Sequence, residues 1–294
     1  MKEILKKVRK YEIRIRKAIT SQMQGDYHSI FKGSGLEFDD VRTYQYGDDV
    51  RTIDWNVSAK GHGTFVKTFK EEKEQSVFFL VDVSASQQIG RQHQQKLDVA
   101  KEITAVLSLA ALKENSQVGL ICFTDQQELY IKPSKGAKHS YQIISAMLSL
   151  QTKSRKTNLN EALKNALNMI KKKSIIFLVS DFVDRGYEQK LKAMARMHDL
   201  VVLHLTDETE KRVPNLGIIP MQEKESGKTV WINSWKHSGF RSSVNKRLEE
   251  NKEHLRRISV RNQINYLEID TKEDYVPKLI KLFTVRNKTL KSIR

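Results

Sequence analysis

Two short apolar runs, far apart in the sequence, both end in an aspartate. The first ends at Asp82 and is followed by serines on alternate positions, Ser84 and Ser86, whereas the second ends at Asp181. A strand without polar positions is typical of a parallel sheet that is covered on both faces. The carboxyl ends of such strands form the ligand crevice, which is deepest where the strand order reverses. We therefore expect these four side chains to share one site.

After residue 75 the sequence alternates between strand-like and helix-like segments, which predicts an α/β fold with a doubly wound, mostly parallel sheet. Only four residues separate the runs 117–123 and 128–132, so these two strands should form an antiparallel hairpin. The predicted strands are 76–82, 117–123, 128–132, 174–180, 200–205 and 264–269, and the predicted helices are 93–113, 139–150, 159–172, 186–198, 241–259 and 275–285.

The domain organisation follows from this pattern. Residues 1–74 contain no clear parallel strand and are predicted to be an N-terminal extension packed on the sheet, while residues 75–294 form the main domain. Within that domain, residues 212–235 read as an irregular insertion with a small hairpin. The alternating charges of residues 47–55 favour a salt-bridged loop on the domain surface, although a catalytic role is the alternative.

The chain has 294 residues and a formal charge of +17, which invites a nucleic-acid interpretation. Residues 1–20 contribute +6 and residues 241–294 contribute +7, so most of the excess is terminal. The apolar residues between Ile4 and Ile19 recur at helical spacing, and the basic residues there are explained as the solvated face of an amphipathic helix. Because no RNP, zinc-finger or GXXG element accompanies the charge, we expect nucleic-acid binding to be weak and non-specific at most.

The cellular location is predicted from what the sequence lacks. Its apolar runs fall short of the roughly 18–20 residues of a membrane helix, and the segment after Met1 lacks the apolar core of a signal peptide. We therefore expect a cytoplasmic protein without membrane insertion. The lone Cys122 cannot form an internal disulfide and is expected to be a small buried apolar residue.

The sequence excludes several kinds of chemistry at the predicted site. A dehalogenase-like phosphatase needs a second carboxylate two residues after its aspartate, where this chain has Ser84, and neither a dinucleotide nor a Walker phosphate motif occurs. A two-metal nuclease requires three or four carboxylates, and only Asp82 and Asp181 are well placed. A site with two carboxylates and hydroxyls at alternate positions suits one hard divalent cation such as Mg²⁺. Alternatively, the aspartate and serines only accept backbone N–H groups in a turn, and Thr157 or Asn158 only caps the helix at residue 159.

Here the sequence resembles a known family. Asp82-x-Ser84-x-Ser86, Thr157 before a helix, and Asp181 after a strand resemble the metal-ion-dependent adhesion site of von Willebrand factor A (VWA) domains. The segment from Gly35 to Lys60 resembles the signature of the bacterial domain-of-unknown-function family fifty-eight. Members of that family carry such a domain and are typically encoded beside MoxR-type AAA+ ATPases.

The resemblance implies a role for each matching residue. Ser84, Ser86 and Thr157 would offer hydroxyl oxygens to Mg²⁺, Mn²⁺ or Ca²⁺, and the two aspartates would bind the ion directly or through water. One open coordination position would take a carboxylate of a partner, which implies a non-enzymatic adaptor or co-chaperone of a MoxR-type ATPase. The chain departs from many relatives at Arg155 and Lys156, where those have glycines. The alternative function is a metal-dependent phosphodiesterase or nuclease that uses the basic termini, and a third carboxylate in the crevice would favour it.

Overall fold

The computed structural model describes residues 37–61, 63–70, 76–91, 94–113, 115–210, 218–222, 229–233 and 238–282. The chain divides into two compact units. One unit spans Phe31–Gln75, and the other includes all described residues from Ser76 onward.

The smaller unit is built on an antiparallel pair, β1 (Glu37–Thr43) and β2 (Phe65–Lys70). A four-residue helix, α1 (Trp55–Ser58), lies between them in sequence and is capped by the side chain of Asp54. The guanidinium of Arg42 donates to both carboxylate oxygens of Asp48, at 2.8 and 2.6 Å. The segment is therefore salt-bridged as expected, while its packing on the sheet of the larger unit stays a prediction.

The strands of the larger unit are β3 (Ser76–Asp82), β4 (Gly90–Arg91), β5 (Gln94–Gln95), β6 (Gln117–Phe123), β7 (Gln127–Ser134), β8 (Ile175–Ser180), β9 (Asp199–Thr206), β10 (Ile218–Gln222), β11 (Thr229–Asn233) and β12 (Asn265–Asp270). Six of them form a sheet in the order β12-β9-β8-β3-β6-β7. All neighbours in this sheet are parallel except β6 and β7, which form the predicted antiparallel hairpin. The strand order reverses between β3 and β8, so this is the switch point of the sheet.

The predicted fold class is confirmed, and each predicted strand lies within two residues of its observed bounds. The predicted hairpin of the insertion is the pair β10–β11. Strand β7 extends through Pro133 because it is an edge strand, where a missing N–H donor costs no ladder bond.

The helices predicted at 93–113, 159–172 and 186–198 are slightly shorter than expected, whereas those predicted at 139–150 and 241–259 are longer. The helix after β5 begins three residues late because the β4–β5 pair occupies the preceding residues. The helix after β8 begins at Glu188, since Gly186 has a positive φ of 81° that interrupts helical geometry. The helices are α2 (Lys96–Lys113), α3 (Ala137–Ser149), α4 (Leu159–Met169), α5 (Glu188–Met197) and α6 (Ser238–Arg261), and residues 276–282 are also helical.

Both faces of the sheet are covered, which is why the central strands need no polar positions. On one face, Phe78 and Leu178 belong to a cluster with Leu163 of α4, Leu191 of α5 and Leu255 of α6. The opposite face is covered by α2, which contacts β3 and β6. Between the two central strands, the stacked rings of Phe79 and Phe177 lie 5.2 Å apart.

Two further predictions concern the N-terminal segment and membrane insertion. The predicted amphipathic helix near the N-terminus lies outside the described residues. Of the helices that the structure describes, none combines the length and the apolar character needed to cross a bilayer.

Close packing at Gly119 generates a first prediction. Gly119 pairs with Phe78 across the β3–β6 ladder, and a Cβ there would stand 2.6 and 2.8 Å from two carbons of the buried ring. We expect Gly119→Ala to lower the free energy of unfolding by about 1–3 kcal/mol through overpacking. Urea denaturation measures this change.

The background Phe78→Leu supplies the control, because a smaller side chain leaves room for the added methyl group. The same glycine substitution should cost less in that background. An equal cost in both backgrounds would exclude the Phe78 ring as the cause.

Candidate functional site

Strands β3 and β8 place the two predicted aspartates on either side of the switch point. Asp82 is the last residue of β3, and Asp181 directly follows β8. The two strands are hydrogen-bonded parallel neighbours, and both aspartates are buried. The structure thus brings together the two carboxylates that the sequence predicted for one site.

Asp82 is held by three donors. Its carboxylate accepts the N–H of Ser84 at 3.0 Å, the hydroxyl of Ser180 at 2.8 Å and the side-chain amide of Gln87 at 3.3 Å. None of these donors carries a charge. Burial, and next the negative charge of Asp181, therefore raise the pKa of Asp82 far above its ordinary value.

A short chain of hydroxyls joins the two aspartates. The Oγ atoms of Ser84 and Ser86 lie 3.0 Å apart, and the hydroxyl of Ser86 is hydrogen-bonded to Asp181. Ser84 is fully buried, whereas Ser86 is half-buried and so nearer to solvent. Four of the five predicted ligands are therefore connected in one polar cluster.

The backbone after Asp181 is strained. Phe182 has a φ of 53°, in the left-handed region that bulky residues rarely adopt. Its ring is buried against Tyr187 and His204, and its N–H donates to the Ser180 hydroxyl at 3.2 Å. Such strain costs of order 1–3 kcal/mol and clusters at functional sites, because surrounding packing has to maintain it.

The loop that carries Thr157 comes to the same edge of the sheet. The carbonyl of Arg155 accepts the N–H of Ala85 at 3.0 Å, and the N–H of Asn158 donates to the carbonyl of Thr124 at 3.3 Å. Asn158 is the N-cap of α4, since its side chain accepts the N–H of Glu161 at 3.0 Å. The cap role that the sequence left open between Thr157 and Asn158 therefore falls to Asn158.

Glu128 of β7 anchors this loop. Its carboxylate accepts the N–H groups of Lys153 and Ser154 at 2.8 and 3.0 Å and the hydroxyl of Thr124 at 2.8 Å. Burial raises the pKa of Glu128, but these donors outweigh that effect and the net shift is downward. The loop position thus depends on one ionised side chain of the neighbouring hairpin.

Two charged residues of the site were not predicted. The ammonium of Lys96, at the start of α2, donates to Asp181 Oδ2 at 2.6 Å and to Glu210 Oε1 at 2.5 Å. Burial raises the pKa of Asp181, but the charge of Lys96 outweighs it and the net shift is downward. Glu210 lies four residues beyond the buried strand β9, and the residue directly after that strand is Asp207, so the strand-end rule that selected the aspartates does not select Glu210.

The donor set of the site fits one hard divalent cation. It consists of carboxylate and hydroxyl oxygens, which Mg²⁺, Mn²⁺ and Ca²⁺ prefer, without sulfur or imidazole ligands. Only neutral donors hold the buried carboxyl group of Asp82, so a cation would stabilise its ionised form. Over the described part of the chain, no three acidic, histidine or cysteine side chains converge as a metal-binding group. Any cation here would depend on serine and threonine oxygens as well.

The space beside Asp181 is small. A cavity of about 30 Å³ adjoins Asp181, His204, Glu210 and Glu268. That volume holds about one water molecule, whereas pockets for organic ligands occupy about 300–1,000 Å³. This cavity therefore has no room for an organic substrate.

The family model described as Protein of unknown function DUF58 matches residues 40–254. The chain belongs to this family. The match confirms the family that the sequence predicted.

Curated relatives of this DUF58 protein include Uncharacterized protein Rv1480 of Mycobacterium tuberculosis and Uncharacterized protein Mb1516 of Mycobacterium bovis. Each is 22% identical to it over 223 residues, which is 75% of this chain and 70% of the relative.

Solved structures similar to the DUF58 chain include two proteins. One is the conserved hypothetical protein BatB from Bacteroides thetaiotaomicron. The match covers 73% of this chain and 99% of the BatB chain, at 15% identity and a TM-score of 0.45. The other is the VWA domain of SpRpn10, where the match covers 71% of this chain and 94% of that domain's chain, at 11% identity and a TM-score of 0.40. The fold assignment itself rests on the strand order and on the aspartates at the switch point.

The anchoring role of Glu128 generates a second prediction. We expect Glu128→Ala to accelerate hydrogen exchange of the Lys153 and Ser154 amides about tenfold or more, because hydrogen bonds to an ionised acceptor are lost. Exchange followed by NMR or mass spectrometry measures the effect. Glu161→Ala, which removes an exposed carboxylate paired with Lys164, is the matched control and should leave both amides unchanged. Unaltered exchange in Glu128→Ala would contradict the anchoring role.

Proposed function

We propose that this DUF58 protein is a metal-dependent protein-interaction module and not an enzyme. Asp82, Ser84, Ser86, Thr157 and Asp181 would hold Mg²⁺, or alternatively Mn²⁺ or Ca²⁺, through which the protein binds an acidic side chain of a partner. The proposed partner is a MoxR-type AAA+ ATPase, for which the protein serves as an adaptor or co-chaperone in the cytoplasm. Another acidic protein would satisfy the same site.

The observation that carries this proposal is the buried pair of carboxylates joined by serine hydroxyls. Two like charges at the end of adjacent strands are unfavourable unless a cation or a proton compensates them. The hydroxyls of Ser84 and Ser86 supply further oxygen ligands without adding charge. A dication in such a site would meet no excess of negative charge, so it would supply a Lewis-acidic position for an anionic ligand.

The rim of the site supports an acidic partner. Arg155 and Lys156 are exposed, in the loop that approaches the end of β3. Positive charge at a rim steers an oppositely charged partner and raises its association rate more than its affinity. These two residues therefore suit attraction of the acidic group that the metal position would capture.

One observation favours binding over catalysis. The third carboxylate near the site, Glu210, accepts a hydrogen bond from Lys96, so part of its charge is compensated within the protein. A nuclease with two metal ions needs such a carboxylate for the metals.

A second candidate function rests on a basic groove between α5 and α6. The groove has a volume of about 210 Å³, and four of its lining side chains are basic whereas none is acidic. An anionic polymer would bind there through charge alone, with affinity that falls steeply as salt increases. The groove is lined by Lys192, His254, Arg257, Ile258, Arg261 and Asn262.

Metal binding is the third prediction. Titration calorimetry with Mn²⁺ should show one site in the wild type, with affinity reduced about 10- to 100-fold or more in Asp82→Ala and Ser84→Ala, since each removes an oxygen near the ion. Asp125→Ala removes an exposed aspartate of the β6–β7 turn and is the matched control. Circular dichroism establishes that each variant is folded. Equal binding by all four proteins would place the ion elsewhere.

Partner capture is the fourth prediction. Immobilised protein should bind a purified MoxR-type AAA+ ATPase, and the binding should be lost with EDTA and in Ser84→Ala. Capture is measured with and without chelator at low and at near-physiological salt, roughly 0.15 M. Binding that is unaffected by EDTA but lost at the higher salt concentration would indicate that the partner binds the basic groove. Capture that resists both treatments would refute the metal-dependent mechanism.

A further inference from the structure

Lys96 is an unusual residue for a protein interior. It is the first residue of α2, directly after the β4–β5 pair, and its side chain is 0% exposed. Lysine is almost never fully buried without a partner, because removal of its charge from water is costly. Its position therefore requires a compensating arrangement.

Two carboxylates provide that compensation, and they come from different strands. Lys96 Nζ donates to Asp181, after β8, and to Glu210, after β9, with side-chain exposures of only 3% and 14% for the two acids. Burial lowers the pKa of Lys96, but the charges of both acids outweigh it and raise the pKa overall, so the lysine stays protonated. Burial raises the pKa of Glu210, but at 2.5 Å from an ammonium we assign it the ionised state.

The charges around Asp181 then follow from four groups. A cation that binds Asp82 would displace its proton, so in the metal-bound site Asp82, Asp181 and Glu210 would each contribute −1 and Lys96 +1, a net charge of −2. Without Lys96 the same crevice would carry −3, and without Glu210 it would carry −1. A net charge of −2 is the value that one dication neutralises.

We propose that Lys96 is a specificity-determining residue that matches the charge of the site to a single divalent cation, and that Glu210 holds Lys96 in place for this role. The inference rests on the proposed metal site and adds to it a determinant of ion charge. Lys96 occupies Asp181 Oδ2 and so withdraws negative charge from the site. A bound dication consequently keeps more of its attraction for a partner's carboxylate.

Opposite effects of the two single variants distinguish this role from a structural one. Lys96→Met removes a positive charge and should strengthen Mn²⁺ binding at least about tenfold, whereas Glu210→Gln should weaken it to a similar extent. The double variant restores a net charge of −2 and should bind within about threefold of the wild type. Tb³⁺ should gain more than Mn²⁺ in Lys96→Met, since the repulsion removed scales with the charge of the ion.

Affinities are measured by calorimetry for Mn²⁺ and by luminescence for Tb³⁺, with circular dichroism of every metal-free variant. Loss of one partner of a buried ion pair is strongly destabilising, so Lys96→Met alone could unfold the site. The metal affinity of Glu210→Gln is therefore also compared with that of the double variant. Addition of Lys96→Met to Glu210→Gln should recover about tenfold in affinity.

The outcomes separate the two hypotheses. A wild type that binds neither Mn²⁺ nor Tb³⁺ overturns the proposed metal site and this inference with it. A wild type that binds Mn²⁺ while both single variants bind more weakly assigns Lys96 a structural role and overturns only the inference. Equal affinities in all four proteins overturn it as well.

Discussion

The burial of two carboxyl groups side by side is the constraint on which the rest of this site depends. Apolar strands, covered on both faces, place Asp82 and Asp181 at the switch point, out of contact with bulk water. Neutral donors hold Asp82, whereas the buried Lys96 pairs with Asp181. The two aspartates therefore differ: the charge of Lys96 lowers the pKa of Asp181 below its ordinary value, while burial and the charge of Asp181 raise the pKa of Asp82.

Much of the fold was predictable because it depends on local patterns. Apolar runs of six or seven residues identify central parallel strands, and the four-residue gap before β7 permits only a hairpin. Element boundaries were less predictable, since they depend on single residues such as Gly186 with its positive φ. The pair β1–β2 was missed because its residues are mostly exposed or half-buried, and such strands lack a continuous apolar signal.

The site was predictable to the extent that chemistry follows strand ends. That rule selected Asp82 and Asp181, but its application to β9 would have selected Asp207, which directly follows the strand, and not Glu210. Lys96 gave no signal, because a lysine in the first turn of a helix resembles any solvated lysine in a basic chain. It lies 85 residues before Asp181, and only the parallel pairing of the strands brings the two together. The spacing of apolar residues in a sequence therefore cannot predict buried ion pairs between distant elements.

In the proposed function, the distribution of charge is what suits this crevice to recognition and not to catalysis. Catalytic metal sites concentrate carboxylates so that ions and attacking water are held firmly. Here the third carboxylate, Glu210, shares the charge of Lys96 with Asp181, and hydroxyls take the place of further acids. A cation would bind such a site less tightly, but it would retain attraction for one more anion. Because Asp181 and Glu210 follow neighbouring strands of the sheet, the position of Lys96 does not depend on the surface loops that a partner would contact.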